Sequence, residues 1–169
     1  AAVADDNGST GIAAPVTTGL TIAEPTAAEP DRPELTLEQQ SALDAIAAHH
    51  GTTLLYGVTG SGKTEVYLRA AEQALLAGKQ VLVMVPEINL TPQLESRFAA
   101  RFANHRMATL HSGLTPAQRT QHWLAAHLGL ARLVLGTRMA VFASMPTLGL
   151  IVVDEEHDPS FKQQEGARY

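Results

Sequence analysis

The 169-residue sequence contains no cysteine. It can therefore form no disulfide and no thiolate metal site of its own, a composition that fits a cytosolic setting. It has no apolar run approaching the roughly 18 residues that a membrane-spanning helix needs. Its opening residues show no basic segment followed by an apolar stretch, so no secretory leader is expected. No internal repeat is found. Six of its seven histidines, all but His157, are scattered without paired metal-ligand spacing and are read as surface or cap residues. It also lacks positive charge in excess, the formal net charge being −5. That excess lies in residues 1–34, where Asp5, Asp6, Glu24, Glu29, Asp31 and Glu34 face Arg32 alone; residues 35–169 carry eleven charges of each sign. A neutral domain can still carry a basic groove, but overall charge gives nucleic-acid binding no support. What remains is 45% hydrophobic, enough for one globular domain with its own core.

Residues 57–64, Gly-Val-Thr-Gly-Ser-Gly-Lys-Thr, have the spacing of a phosphate-binding P-loop. Gly57, Gly60 and Gly62 allow left-handed backbone angles that turn N–H groups inward, and Thr59 and Ser61 complete the loop. Those N–H groups and the start of the next helix make a pocket for phosphate oxygens. Lys63 brings a point charge to the β/γ-phosphates, and Thr64 offers a hydroxyl to Mg²⁺.

Residues 1–34 are rich in Ala, Thr, Pro and acids without periodicity, and are expected to be a disordered linker. Thr36 and Gln39 form a capping box opening a helix whose apolar face is Leu37, Ala42, Leu43, Ile46 and Ala47; Gly51 ends it. A strand at about 52–56 is expected to deliver the P-loop, followed by a helix from Lys63 to Ala77 that stops at Gly78. Residues 81–85 read as a buried parallel strand. Thr91 and Pro92 open a helix to about Ala103. Strands are expected at 106–110, 132–135 and 150–153, with a helix opened by Thr115 between the first two. Trp123 on that helix is expected to pack in the core. The alternation predicts an α/β fold: a three-layer parallel sheet with helices on both faces and the unusual sequences gathered at the strands' carboxyl ends.

Four apolar residues followed by Asp154-Glu155 have the Walker B arrangement. Asp154 would hold Mg²⁺ through water, and Glu155 would orient or deprotonate the water attacking the γ-phosphate. Several strands between the two motifs suit a RecA-like motor domain. His157 completes a D-E-x-H pattern that can link a nucleotide site to a nucleic-acid site. Gln39 has two open roles, capping residue and adenine contact. Thr137 and Arg138 follow a strand end and could grip a nucleic-acid phosphate, or be plain surface.

Residues 57–67, 86–93 (Pro-Glu-Ile-Asn-Leu-Thr-Pro-Gln), 110–114, 136–138 and 154–158 together resemble the PriA family, superfamily 2 DNA helicases of bacterial replication restart. Residues 161–169 resemble the start of that family's aromatic-rich loop. The resemblance covers residues 35–169 and implies the first RecA-like motor lobe of an ATP-dependent helicase that moves 3′ to 5′ on single-stranded DNA. It implies ATP and Mg²⁺ as cofactors, Lys63, Asp154 and Glu155 as catalytic residues, and Gln39 at the adenine. It implies DNA contact or coupling through Thr91, Gln93, Thr137, Arg138, His157 and Lys162. Single-stranded and forked DNA, primosome proteins and single-stranded DNA-binding protein are the implied partners, in the bacterial cytoplasm and without a membrane.

Asn89 stands where the family usually has Gly, and Met139 where it has Ser. The family's N-terminal DNA-binding region, second lobe with its arginine finger, and zinc module are not in this sequence, which offers no cysteine ligand for zinc. The piece is therefore expected to bind nucleotide weakly and turn it over very slowly. Two other readings stay open: a P-loop NTPase acting without nucleic acid, and a non-catalytic docking fragment.

Overall fold

A computed structural model describes residues 32–58 and 60–162. The expected linker up to residue 31, Thr59 and the 163–169 part of the aromatic-rich loop lie outside the described residues.

Helix α1 spans Leu37–Ala48, and its N-terminus carries the full capping box between Thr36 and Gln39. Of its expected apolar face, Leu43 is buried with Ala42 and Ile46 beside it, against Val66 and Ala70 of the next helix. Leu37 is 90% exposed and Ala47 is also exposed, so the buried stripe is narrower than the sequence pattern. Helix α2, Lys63–Leu76, springs from the phosphate loop. Gly78 ends it with a positive φ, its N–H and that of Lys79 returning to the carbonyls of Leu75 and Ala74.

Four parallel strands follow: β1 Gln80–Met84, β2 Met107–Leu110, β3 Leu133–Gly136 and β4 Leu148–Val153, in the order β2-β3-β1-β4. Helices α3, Pro92–Arg101, and α4, Pro116–His127, alternate with them. Both open as expected, Thr91 and Thr115 accepting backbone N–H bonds with proline in the first turn. Side chains alternate across the sheet. Val81, Val83, Val85, Leu133 and Leu135 meet Tyr67, Ala71 and Leu75 of α2 and Phe98 of α3 on one face. Leu82, Met84, Ala108, Leu110 and Val134 meet Ala125 and Ala126 of α4, with Ala140 and Met145, on the other. This is the expected three-layer α/β architecture of a RecA-like domain.

Arg101 locks α3 onto α2. Its guanidinium reaches Glu65 at 2.7 Å and Glu72 at 2.8 Å, while Arg69 also holds Glu65 at 2.7 Å. Arg32 approaches Glu72 at 3.7 Å, and Arg69 donates to the Pro33 carbonyl, so the residues just before α1 lie along α2.

Three expectations are corrected. Residues 52–58 form no strand: among the described residues none of them has a sheet partner, and Leu54 and Tyr56 are 73% and 93% exposed. Leu55 alone of that apolar run joins the packing, beside α1, α2 and Leu150. The sheet ends at β4, whose Leu148, Ile151 and Val153 are partly exposed, so no paired strand carries the chain into the loop. Trp123 is not core; it lies on the outer side of α4, stacked on His127 and donating to the Phe142 carbonyl. His122, expected at the surface, is buried, its Nδ1 set against the Thr109 backbone, 2.5 Å from the carbonyl oxygen and 3.2 Å from the nitrogen. Ala125 and Ala126 of α4 face the sheet, and His122, one turn before them, shares that face while Trp123 does not.

Candidate functional site

Parallel pairing sets four strand ends in one row. Leu110, Gly136, Met84 and Val153 are register neighbours across the sheet. The next residue on each strand, His111, Thr137, Val85 and Asp154, therefore emerges at the same edge. Gly136 makes this row tight: a Cβ there would run into the Leu110 carbonyl and Ala140, so a side chain would push β2 and β3 apart.

The phosphate loop reaches this edge from α2. Gly60 and Gly62 have φ of 82° and 80°, the left-handed region that suits glycine, whereas Gly57, expected to share it, does not. The Ser61 N–H closes a turn onto the Val58 carbonyl at 3.2 Å. Lys63 lies back over the loop, donating to the Gly57 carbonyl at 2.6 Å and the Val58 carbonyl at 3.0 Å. Thr64 is exposed on the first turn of α2, where unpaired N–H groups favour an anion.

Gln39 ties α1 to this loop. Its Oε1 accepts the Thr36 N–H at 2.9 Å and its Nε2 donates to the Ser61 carbonyl at 3.1 Å. The capping bond and a loop contact are made together because the amide's oxygen serves one and its nitrogen the other. A Cβ at Gly62 would run into that amide nitrogen, so glycine is needed there both for its angle and for its bareness.

Asp154 approaches from the other side. Its N–H bonds the Met84 carbonyl at 2.9 Å, extending the β1–β4 ladder by one step. Its Oδ2 accepts the Tyr67 hydroxyl at 3.1 Å, across 87 residues of sequence. Thr64 and Arg97 of α3 lie near that hydroxyl. Burial pushes the Tyr67 phenol far above its ordinary value of 10, and the Asp154 charge adds to the push. The phenol is thus held as a neutral donor. The sequence carries one signal for Tyr67 beyond the motif: it lies three residues after Thr64, on the same face of a helix.

Glu155 follows in the left-handed region at φ 48°, unusual for a residue with a side chain, and its side chain is exposed. Its carbonyl accepts the Asp158 N–H at 2.8 Å. Asp158 caps the 3-10 turn Pro159–Phe161, and its bonds from Ser160 hold its carboxyl below the usual range. His157 and Lys162 are exposed on this segment.

The remaining candidates line the same edge without touching the loop. Thr91 is spent as the cap of α3, accepting the Leu94 N–H at 3.2 Å, and Gln93 is exposed beside it. Thr137 is 1% exposed and its hydroxyl is buried with no partner among the described residues, whereas Arg138 is open to solvent. Among the described residues no group of three or more His, Cys, Asp or Glu side chains is arranged to hold a metal ion by itself. No helix among them is long and apolar enough to cross a membrane.

A glycine-turned loop at a helix N-terminus, facing an acid at a parallel strand end, defines a P-loop type domain. The DEAD/DEAH box helicase family matches residues 36–168, and the chain belongs to that family. Its relatives include proteins named replication restart protein PriA. The one from Bacillus subtilis is 46% identical over 140 residues, 80% of this chain and 17% of its own. Those from Synechocystis and Haemophilus influenzae are 51% and 52% identical, covering 79% and 80% of this chain and 16% and 19% of theirs. The chain thus spans less than a fifth of the length of these relatives.

Proposed function

We propose that residues 35–169 are the first motor lobe of an ATP-driven DNA helicase of bacterial replication restart, with residues 1–34 a linker before it. The observation that carries this is the meeting of the loop's helix and the strand-end acid: the Tyr67 hydroxyl, one turn beyond Thr64 on α2, bonds Asp154 at 3.1 Å. Two oxygen donors of hard character, one hydroxyl and one carboxylate, fit a Mg²⁺ ion beside nucleotide phosphates. When bound, Mg²⁺ would neutralise charge on the β/γ-phosphates.

The chain's own residues divide the work. Backbone N–H groups from Gly57 through Gly62, Thr59 and Ser61 included, receive phosphate oxygens. Lys63 exchanges its two loop carbonyls for phosphate oxygens. Glu155, held open to solvent by its backbone, orients the attacking water and takes its proton. Gln39, already placed against Ser61, borders the adenine. Along the same edge Thr91, Gln93, Thr137, Arg138, His157 and Lys162 form the side that meets single-stranded DNA. Arg138 is the exposed cation best suited to a phosphate, and Thr137 shapes the turn behind it. Movement 3′ to 5′, fork recognition, and work with primosome proteins and single-stranded DNA-binding protein in the bacterial cytoplasm belong to this reading for the longer protein. There a second lobe would supply an arginine to the phosphates, and without it turnover is expected to be very slow.

The test is binding of a fluorescent ATP analogue with Mg²⁺. Lys63→Ala should weaken it by about a hundredfold; unchanged affinity would sink the nucleotide reading. In the longer protein, single-stranded DNA should raise ATP turnover. A rate indifferent to DNA would favour an NTPase acting without nucleic acid.

A further inference from the structure

We propose that Tyr67 is a positioning residue of the nucleotide site: its hydroxyl fixes the Asp154 carboxylate beside Thr64, so that both oxygen donors for the divalent cation are set in advance. This rests on the nucleotide reading above and deepens it.

Tyr67 is 7% exposed, and its ring is part of the core face formed with Ala71, Leu75, Val83 and Val85. Phenylalanine would fill that space as well. A buried hydroxyl is unfavourable unless it is bonded, and this one is spent on Asp154 Oδ2 at 3.1 Å. The bond takes one carboxylate oxygen, Oδ2, and does not engage the other. It also restricts rotation of the carboxylate, which is otherwise held at its backbone by the Met84 carbonyl.

The ring's own position is well determined. It stands on α2 one turn beyond Thr64, and α2 is clamped to α3 by Arg101 through Glu65 and Glu72. Tyr67 therefore measures the distance between the phosphate-loop helix and the end of β4. Groups in this position, bonded to a metal ligand rather than to the metal, orient that ligand and raise its effectiveness.

The experiment is a Mg²⁺ titration of fluorescent ATP-analogue binding by the full chain and by Tyr67→Phe. The Mg²⁺ concentration for half-maximal tightening should rise about tenfold or more in the variant. Analogue affinity in EDTA should stay within about twofold, because the loop's N–H groups and Lys63 are untouched. Circular dichroism melting reports the fold independently, and the retained ring should keep the melting temperature within a few degrees. A Tyr67→Phe chain that melts normally and needs no more Mg²⁺ than the parent overturns the proposal. A Tyr67→Phe chain that loses affinity equally with and without Mg²⁺ also overturns it, since the hydroxyl would then serve only the fold. If the unsubstituted chain binds the analogue no better with Mg²⁺ than without, the nucleotide reading itself falls and takes this inference with it.

Discussion

The two arms of the candidate site are anchored by different parts of the molecule. Asp154 stands one residue past a strand whose neighbour β1 is buried along its whole length, and its backbone continues that ladder. The phosphate loop is approached through residues 52–58, which no strand pairs with among the described residues. Its ties run to helices: Gln39 of α1 holds the Ser61 carbonyl, and Lys63 of α2 holds the loop's own carbonyls. The acid's place is a property of the sheet. The loop's place is a property of α1 and α2, and Tyr67 is the strut between the two.

The largest effect should come from cutting into the sheet. Leu135 is fully buried between β3 and the α2–α3 layer. Leu135→Ala should cost about 2–5 kcal/mol and lower the melting temperature by roughly 5–20 °C. Leu54→Ala, on the exposed approach to the loop, should stay within about 0.5 kcal/mol. Equal losses from the two would show that the approach is as firmly bound as the sheet.

A middle effect should separate the arms at their ties. Gln39→Ala removes both the capping acceptor and the bond to Ser61, and should cost about 1 kcal/mol of stability. Analogue affinity should fall severalfold, while the Mg²⁺ requirement stays that of the parent, the reverse of the Tyr67→Phe pattern. A raised Mg²⁺ requirement in Gln39→Ala would mean that the arms are not separately held.

The smallest effect concerns pH at the sheet's far end. Burial, then the charge of Arg132, lowers the His105 pKa below its ordinary 6.5. The unfolded chain therefore takes up that proton more readily than the folded one. This contribution is absent well above pH 6.5 and destabilises the fold as pH drops through 6.5 toward the folded value. His105→Gln should make the melting temperature fall slightly less between neutral pH and about pH 5. An identical slope would show that His105 does not take part.

Much of this was legible because it is local. Thr36, Thr91 and Thr115 cap their helices through bonds three residues long, and glycines at 60, 62 and 78 take the positive φ their positions demand. The apolar run at 81–85 read as a buried strand because continuous burial leaves no alternation to hide. The same rule misled at 52–56. That run has the composition of a strand, but a strand exists only with a partner, and pairing is decided by segments far away in sequence. Trp123 and His122 show the same limit on one helix: neighbours in the chain, one outside and one inside, according to where the alanines meet the sheet.

The sequence by itself determined the loop, the acid pair, the helix starts and the parallel alternation, because each depends on backbone angles, caps or periodicity within a few residues. Tertiary structure decided how the arms are held: which strand lies at the sheet's edge, that Gln39 caps and grips at once, and that Tyr67 reaches Asp154 across 87 residues. A contact at that separation is set by the packing of α2 and α3 on the sheet, and no pattern along the chain encodes a distance through space.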